Sequence, residues 1–359
     1  MTDTAWDPSA FRAQVQAALD AFLDEQAQRL APLGDDASRL LTEARAVVSG
    51  GKRFRAAFCH WGHHAVAGTP GDDGAEAALV RACASLELLH ASALVHDDYM
   101  DASDTRRGRP ATHRGFAAEH RTDGWRGDPE QYGASAAILL GDLLLSWSDE
   151  LLRRCGLPTE RVVSALDVFD RCRSEVITGQ FLDVSVQARG VADVDAAMTV
   201  LRYKSAKYSV ERPLHIGATL AGGSEHQLAQ LGAFGLPLGE AFQLRDDLLG
   251  VYGDPSMTGK PAGDDLIEGK RTVLVALALD AAPAESAARL DSALGRDLDA
   301  EQVAELRRII DESGAHAQVE DVIGQLADRA TSALREADLD ERARAVLLEL
   351  ATAVTDRHH

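Results

Sequence analysis

Apolar residues recur at helical spacing along most of the chain, and clusters of Gly, Pro and Asp interrupt them at 68–74, 122–133, 156–158, 221–224 and 253–264. None of these interruptions is long enough or biased enough to act as an interdomain linker, and no repeat of fixed period or low-complexity run appears. The pattern therefore predicts one helical domain over residues 1–359. Within it, the stretch from Ala75 to Met100 (AEAALVRACASLELLHASALVHDDYM) is apolar on most faces, which predicts a buried helix. Its end breaks the pattern, because a Leu-rich run passes directly into consecutive carboxylates.

Composition agrees with an all-α fold. Ala and Leu are abundant, only 5% of residues are aromatic, and the 11 prolines are expected outside the long apolar-periodic stretches. A balance of 57 acidic against 37 basic residues gives a net charge of -20, which repels a phosphate backbone and excludes nucleic acid as a partner. Basic residues nevertheless crowd at Lys52 to Arg55, Arg106 to Arg109 and Lys260 to Arg271, and these mark places for an anionic ligand. Cys59, Cys83, Cys155 and Cys172 form no CxxC pair and show no metal-ligand spacing, so a reducing cytoplasm is expected. The opening MTDTAWDPSAFRAQ lacks a signal-peptide core, and no run reaches about 18 uninterrupted apolar residues, so a soluble protein without a transmembrane segment is expected.

In HDDYMDASDTRRGRP the carboxylates fall at Asp97, Asp98, Asp101 and Asp104. At about 100° per residue, positions 97, 101 and 104 share a narrow helical stripe and Asp98 flanks it. Like charges stacked at a helix C-terminus repel one another and oppose the macrodipole, so a cation is expected to compensate them. Carboxylates without His or Cys suit a hard ion such as Mg2+, which binds a few carboxylates together with substrate phosphates. Arg106 and Arg107 follow at once, and a guanidinium fork matches phosphate geometry. The plainer reading, a solvated acidic helix end, fits poorly with the apolar run that leads into it. A second motif, FQLRDDLLGVYGDPSMTGKPAGDDLIEGKRT, places Asp246 and Asp247 at the end of another apolar stretch, with Gln243 one turn before Asp247 and Lys260, Lys270 and Arg271 beyond. Alone, this pair with nearby lysines reads as a surface loop. Together, two such clusters facing each other across a bundle are expected to hold several metal ions around one diphosphate.

These residues resemble the trans-isoprenyl diphosphate synthases, the polyprenyl synthetase family, and among its members most resemble the geranylgeranyl diphosphate synthases. The likeness runs in order through GGKRFR (50–55), ELLHASALVHDDYMDASDTRRGRPATH (87–113), LLGDLLLS (139–146), GQFLD (179–183), YKSAKYS (203–209) and the second Asp-rich segment. It implies a helical bundle of the isoprenoid synthase type with a central substrate cavity, working as a homodimer with Mg2+ on isopentenyl diphosphate and an allylic diphosphate. Carried over by motif, Lys52, Arg55 and His90 bind isopentenyl diphosphate, with Arg107 assisting. Asp97, Asp101 and Asp246 match the metal ligands, with Asp98 and Asp247 beside them. Arg106 and Lys260 contact the allylic diphosphate, and Lys204, Ser205 and Gln243 lie near the cation formed on ionisation. Ser205 replaces a more usual Thr, and Gly250 turns the family's DDxxD into DDLLG, which leaves Asp254 or Asp264 as possible substitutes. Gln180 and Asp183 read equally well as a structural hydrogen-bonded pair.

The resemblance implies ionisation, attack by the double bond of isopentenyl diphosphate and proton loss, with no protein nucleophile. Product length depends on the apolar channel below the first Asp motif, toward which Ala93 and Ser92 point; both are small, so geranylgeranyl diphosphate is expected, with farnesyl or longer products as alternatives. Residues between Arg114 and Gly133 are expected to form an exposed loop near the site entrance. A terpene cyclase would not need the second diphosphate pocket of Lys52, Arg55 and His90, and an inactive partner subunit would not keep the first Asp motif whole.

Overall fold

The computed structural model describes residues 6–68, 73–190, 193–253 and 263–355. Its helices are α1 (Pro8–Leu30), α2 (Asp35–Val48), α3 (Phe54–Ala67), α4 (Asp73–Met100), α5 (Thr112–Thr122), α6 (Pro129–Arg153), α7 (Thr159–Arg189), α8 (Val194–Val200), a π-helix (Leu201–Glu211), α9 (Arg212–Ala221), α10 (Glu225–Tyr252), α11 (Asp264–Glu268), α12 (Val273–Ala281), α13 (Ala284–Ala293), α14 (Ala300–Glu312), α15 (Ala315–Glu336) and α16 (Glu341–Thr355). One short hairpin pairs Thr105–Arg106 with Arg109–Pro110. The all-α expectation holds. The chain divides into two compact units, one of residues 1–167 with 216–223 and the other of 168–215 with 224–359.

The first unit is organised on α4. Leu79, Leu86, Leu88 and Leu89 of this helix are fully buried, as its apolar sequence predicts. Residues 74–100 are long and apolar enough to cross a membrane by composition, but 78% of the most apolar window is buried inside the protein, which marks a core helix. Helix α6 packs closely on it at Gly141, where a Cβ would lie 2.1 Å from His96 Nε2. Ser92 Oγ donates to Gly141 O at 2.7 Å on the same face. The loop expected from Arg114 to Gly133 is largely helical: α5 continues to Thr122, and Asp128 caps α6 by accepting from Glu130 N at 3.0 Å, with Pro129 as its first residue. Helices α5 and α6 meet at Gly133, where a Cβ would lie 2.1 Å from His113 O. Short-range turn signals at 122–133 concealed this, since only the residues around 123–128 actually break the helix.

The second unit is organised on α10, which starts with a Ser224/Gln227 capping box and buries Leu244, Leu248 and Val251. Arg245, also buried, donates to Glu320 Oε2 at 2.7 Å and to Thr355 O at 3.1 Å, tying α10 to α15 and α16. The expectation that prolines avoid the apolar-periodic stretches fails at Pro237, which lies inside α10. The π-helix is wedged against its neighbours through two glycines: a Cβ at Gly179 would lie 2.4 Å from Lys204 N, and one at Gly239 would lie 2.4 Å from Ala206 O. Ion pairs fasten it further, with Arg202 Nε 2.6 Å from Glu240 Oε1 and Lys207 Nζ 3.4 Å from Glu175 Oε1.

Candidate active site

In the first unit the basic residues converge on His90. Gly50, Gly51 and Arg53 all adopt positive φ (70°, 90° and 56°), so GGKRFR folds as a tight turn into α3. A Cβ at Gly51 would come within 3.1 Å of Arg107 Nη2, so glycine there makes room for that guanidinium. Arg107 Nη1 donates to Ser49 O at 2.9 Å. Arg107 and Gly108 form the two-residue turn of the hairpin, both with positive φ (52° and 73°), the backbone of a type I′ turn. Burial and the surrounding guanidiniums of Arg55, Arg107, Arg106 and Arg53 hold the His90 imidazole neutral, well below its ordinary pKa. Lys52 is exposed and Arg55 half-buried at the edge of this group.

Sequence reasoning passed over Arg53. It is buried, donates to Glu87 Oε2 at 3.0 Å and to Gln16 Oε1 at 2.6 Å, and so anchors the turn that carries Lys52 and Arg55. Glu87 also accepts from Ala56 N at 3.3 Å. A charged residue between two bound-for-ligand neighbours gives no signal of its own; its buried partner lies 34 positions away.

The first Asp motif ends α4. Asp97 and Asp101 are half-buried, whereas Asp98 is buried and accepts from Arg106 Nε at 2.8 Å and from its Nη2. Arg106 Nη2 is 4.0 Å from Asp97 Oδ2. The hairpin thus returns a cation to the carboxylates, as the crowding of charge required. Helical periodicity places His90, Ala93, Asp97 and Asp101 on one stripe, and Ser92 with His96 on the face turned to α6. Ala93 therefore lies along the line of the Asp97 and Asp101 carboxylates, while the Ser92 hydroxyl donates to Gly141 O of α6.

In the second unit Lys204 and Ser205 sit half-buried in the π-helix, an irregularity common at functional sites. Lys204 Nζ lies 2.5 Å from Asp183 Oδ2, and Gln187 Nε2 donates to Asp183 Oδ1 at 3.3 Å. Asp183 of GQFLD therefore positions the lysine. On α10, Asp246 is exposed and Asp247 is buried, with Gln243 Nε2 donating to Asp247 Oδ1 at 2.8 Å. Burial, reinforced by the like charges of Asp265 and Asp246, pushes the Asp247 carboxyl up to about 8. A Cβ at Gly250 would lie 1.9 Å from Asp265 Oδ2 and 2.4 Å from its Cγ. The space a side chain at position 250 would fill is thus occupied by the Asp265 carboxylate, while Asp254 and Lys260 lie outside the described residues. Lys270 Nζ, 3.3 Å from Asp265 Oδ1 and 2.5 Å from Glu268 Oε2, offsets part of the charge. An oxygen-only donor set with a carboxyl pushed so far up is one that a hard divalent cation relieves, so the residues fit magnesium.

The polyprenyl synthetase family model matches residues 38–312. A short chain isoprenyl diphosphate synthase of Methanothermobacter thermautotrophicus is 34% identical over 317 residues, 87% of this chain and 88% of that protein. A geranylfarnesyl diphosphate synthase of Aeropyrum pernix is 33% identical over 236 residues, 65% of this chain and 68% of that protein. The crystal structure of geranylgeranyl pyrophosphate synthase from Corynebacterium glutamicum, complexed with isoprenyl diphosphate and magnesium, is 41% identical and superposes with a TM-score of 0.95 over 98% of this chain and 100% of that one. With this match following on the ordered motifs and the all-α fold, the chain belongs to the polyprenyl synthetase family of trans-prenyltransferases.

Proposed function

We propose that the protein condenses isopentenyl diphosphate with an allylic diphosphate in a Mg2+-dependent reaction whose main product is geranylgeranyl diphosphate, and that residues 1–359 act as one catalytic domain. The observation that carries this reading is the group of guanidiniums around a neutral His90, adjoining Asp97 and Asp98 at the end of the same helix and Asp101 just beyond it. Such a pocket takes a polyanion: Lys52, Arg55 and Arg107 supply charge, and neutral His90 adds one N–H donor without adding charge. Arg106 and Lys260 bind the allylic diphosphate. Asp97 and Asp101 of the first motif and Asp246 of the second are the metal ligands, with Asp98, Asp247 and Asp265 holding the charge balance around them. Held by these carboxylates, magnesium would supply positive charge to the departing diphosphate. Lys204, Ser205 and Gln243 present their dipoles to the allylic cation; the double bond of isopentenyl diphosphate forms the new carbon–carbon bond, and a proton leaves to the released diphosphate. The relative of known structure was crystallised with the same two classes of ligand, which supports the assignment.

Ala93, on the stripe below Asp97, leaves the tail path open beyond fifteen carbons. Incubation of the purified protein with isopentenyl and farnesyl diphosphates and Mg2+, followed by sizing of the products, is expected to give the twenty-carbon diphosphate. A fifteen-carbon stop from dimethylallyl diphosphate overturns this product. A cytoplasmic homodimer is part of the same reading. It is supported by an exposed apolar stripe on α7, where Ile177, Phe181 and Val184 are 55%, 67% and 38% exposed at i, i+4 and i+7. Sedimentation of the Phe181→Asp variant as a monomer, against a dimeric parent, is the expected result.

A further inference from the structure

Away from the Asp motifs, the first unit contains a second convergence of ligating atoms. His60 and His64 stand one turn apart on α3, and Glu76 lies in the first turn of α4. His60 Nε2 is 2.6 Å from Glu76 Oε1 and 3.1 Å from His64 Nε2, and His64 Nε2 is 3.5 Å from Glu76 Oε2. Both imidazoles are buried, and the carboxylate is half-buried. Among the described residues this is the one group of three such side chains whose ligand atoms lie within 4.8 Å of one another.

Hydrogen bonding alone does not satisfy this arrangement. His64 Nδ1 lies 2.8 Å from Gly68 O, and a carbonyl only accepts, so Nδ1 carries the proton and the neutral ring presents a bare Nε2. A single proton on His60 Nε2 must then serve both His64 Nε2 and Glu76, while His64 Nε2 and Glu76 Oε2 face each other as two acceptors. His60 Nδ1 finds no partner in either tautomer, so it does not choose between them. A cation at the centre would use all three lone pairs. Donors about 2.0–2.1 Å from a tetrahedral zinc stand roughly 3.3 Å apart, and the three observed separations bracket that value. The His64–Gly68 bond is the outer-shell contact that orients a ligating imidazole.

The surroundings suit a closed metal position. Burial lowers the His60 pKa, and although desolvation works against it, the hydrogen bond from His60 and the charge of the neighbouring imidazoles lower the Glu76 carboxyl, so it stays ionised. Phe11 and Trp61 rings flank His60 at 4.8 and 5.3 Å, shielding the histidine side. On the other side Glu76 borders a groove of about 550 Å³ lined by Gln14, Ala17, Ala21 and Val80, which provides a path for entry.

We propose that His60, His64 and Glu76 form a structural site for a borderline transition metal, zinc first, that clips the end of α3 to the start of α4. The fourth position falls to water from the groove. Mixed imidazole and carboxylate donors distinguish it from the oxygen-only Asp motifs, which favour magnesium.

The test uses the full chain, stripped with a chelator and reloaded with Zn2+ in millimolar Mg2+ so that the carboxylate motifs are occupied. One zinc per chain after desalting, and a melting temperature raised by about 2–4 °C, are expected. Both are lost in Glu76→Gln and in His64→Gln and kept in Asp97→Ala. Should a variant fail to fold, cobalt loading of the parent decides: intense visible bands of four-coordinate cobalt support the site, and the weak bands of octahedral oxygen coordination overturn it. Zinc below a tenth of an equivalent in the parent, or zinc retained by both Glu76→Gln and His64→Gln, also overturns it.

Discussion

The two Asp motifs carry the same consecutive pair at the end of an apolar helix, yet the two units compensate it differently. In the first, the inner carboxylate, Asp98, receives a guanidinium: a hairpin with two positive-φ residues brings Arg106 back onto it at 2.8 Å. In the second, among the described residues, the inner carboxylate, Asp247, accepts from the amide of Gln243 and feels Lys270, but burial and the like charges of Asp265 and Asp246 outweigh them, and its carboxyl rises to about 8. A covalently supplied cation makes the first motif self-sufficient as a folded element. Among the described residues of the second, Lys270 offsets only part of the carboxylate charge, and a bound metal is suited to offset more. The outer carboxylates, Asp97 and Asp246, remain accessible in both.

The comparison breaks most severely if an outer carboxylate is removed. Asp97→Ala and Asp246→Ala are each expected to lower turnover by at least ~10²-fold at saturating substrate, the scale of losing a preorganised electrostatic contact, read by product formation at several Mg2+ concentrations. Unequal losses would rank the two motifs. Next in size is Arg106→Ala, which leaves Asp98 buried without its cation. Breaking a buried pair costs about 3–5 kcal/mol, and partial exposure of Arg106 reduces this to about 2–3 kcal/mol, seen as a lowered melting temperature even without metal. The equivalent change in the second unit, Gln243→Leu, removes no charge and is expected to cost less.

Gly250→Ala should follow, at about 1–3 kcal/mol, because its Cβ would meet Asp265 Oδ2 at 1.9 Å and displace α11. The measured companion effect is weaker Mg2+ binding, which Asp265→Asn should share. A pH experiment sharpens the contrast further. Asp247 titrates at 3.8 unfolded and at about 8 folded, so between these values the folded chain holds a proton that the unfolded chain has lost. Its contribution to stability is complete below pH 4 and disappears as pH rises through about 8. Denaturation of chelator-treated protein at pH 5 and pH 9 should therefore show a steeper decline for the parent than for Asp247→Asn. Least disruptive to the fold is Ala93→Phe, expected to leave ionisation nearly intact and to shift the product toward fifteen carbons.

Much of the site was legible because charge at helical spacing cannot be neutral with respect to fold. Asp97, Asp101, Asp246 and the arginines near them are conspicuous for sitting beside apolar runs, and the order of motifs along the chain points to the family. Arg53 and Asp265 were not legible as functional supports, and for Asp183 the sequence left the structural and functional readings even without showing its partner. Each acts on a partner through packing: Arg53 through Glu87, Asp183 through Lys204, and Asp265 through the space left by Gly250. Likewise, turn residues at 122–133 overstated a loop, since a capped α6 begins within them.

The sequence by itself determined the helical class, the family and the identity of the charged groups, because periodicity, propensity and residue chemistry are local. Only the tertiary structure decided which carboxylate of each pair is buried, which cation answers it, and that the Ser92 hydroxyl donates to α6. Those outcomes depend on distances between residues far apart in the chain, and close packing, not composition, sets those distances.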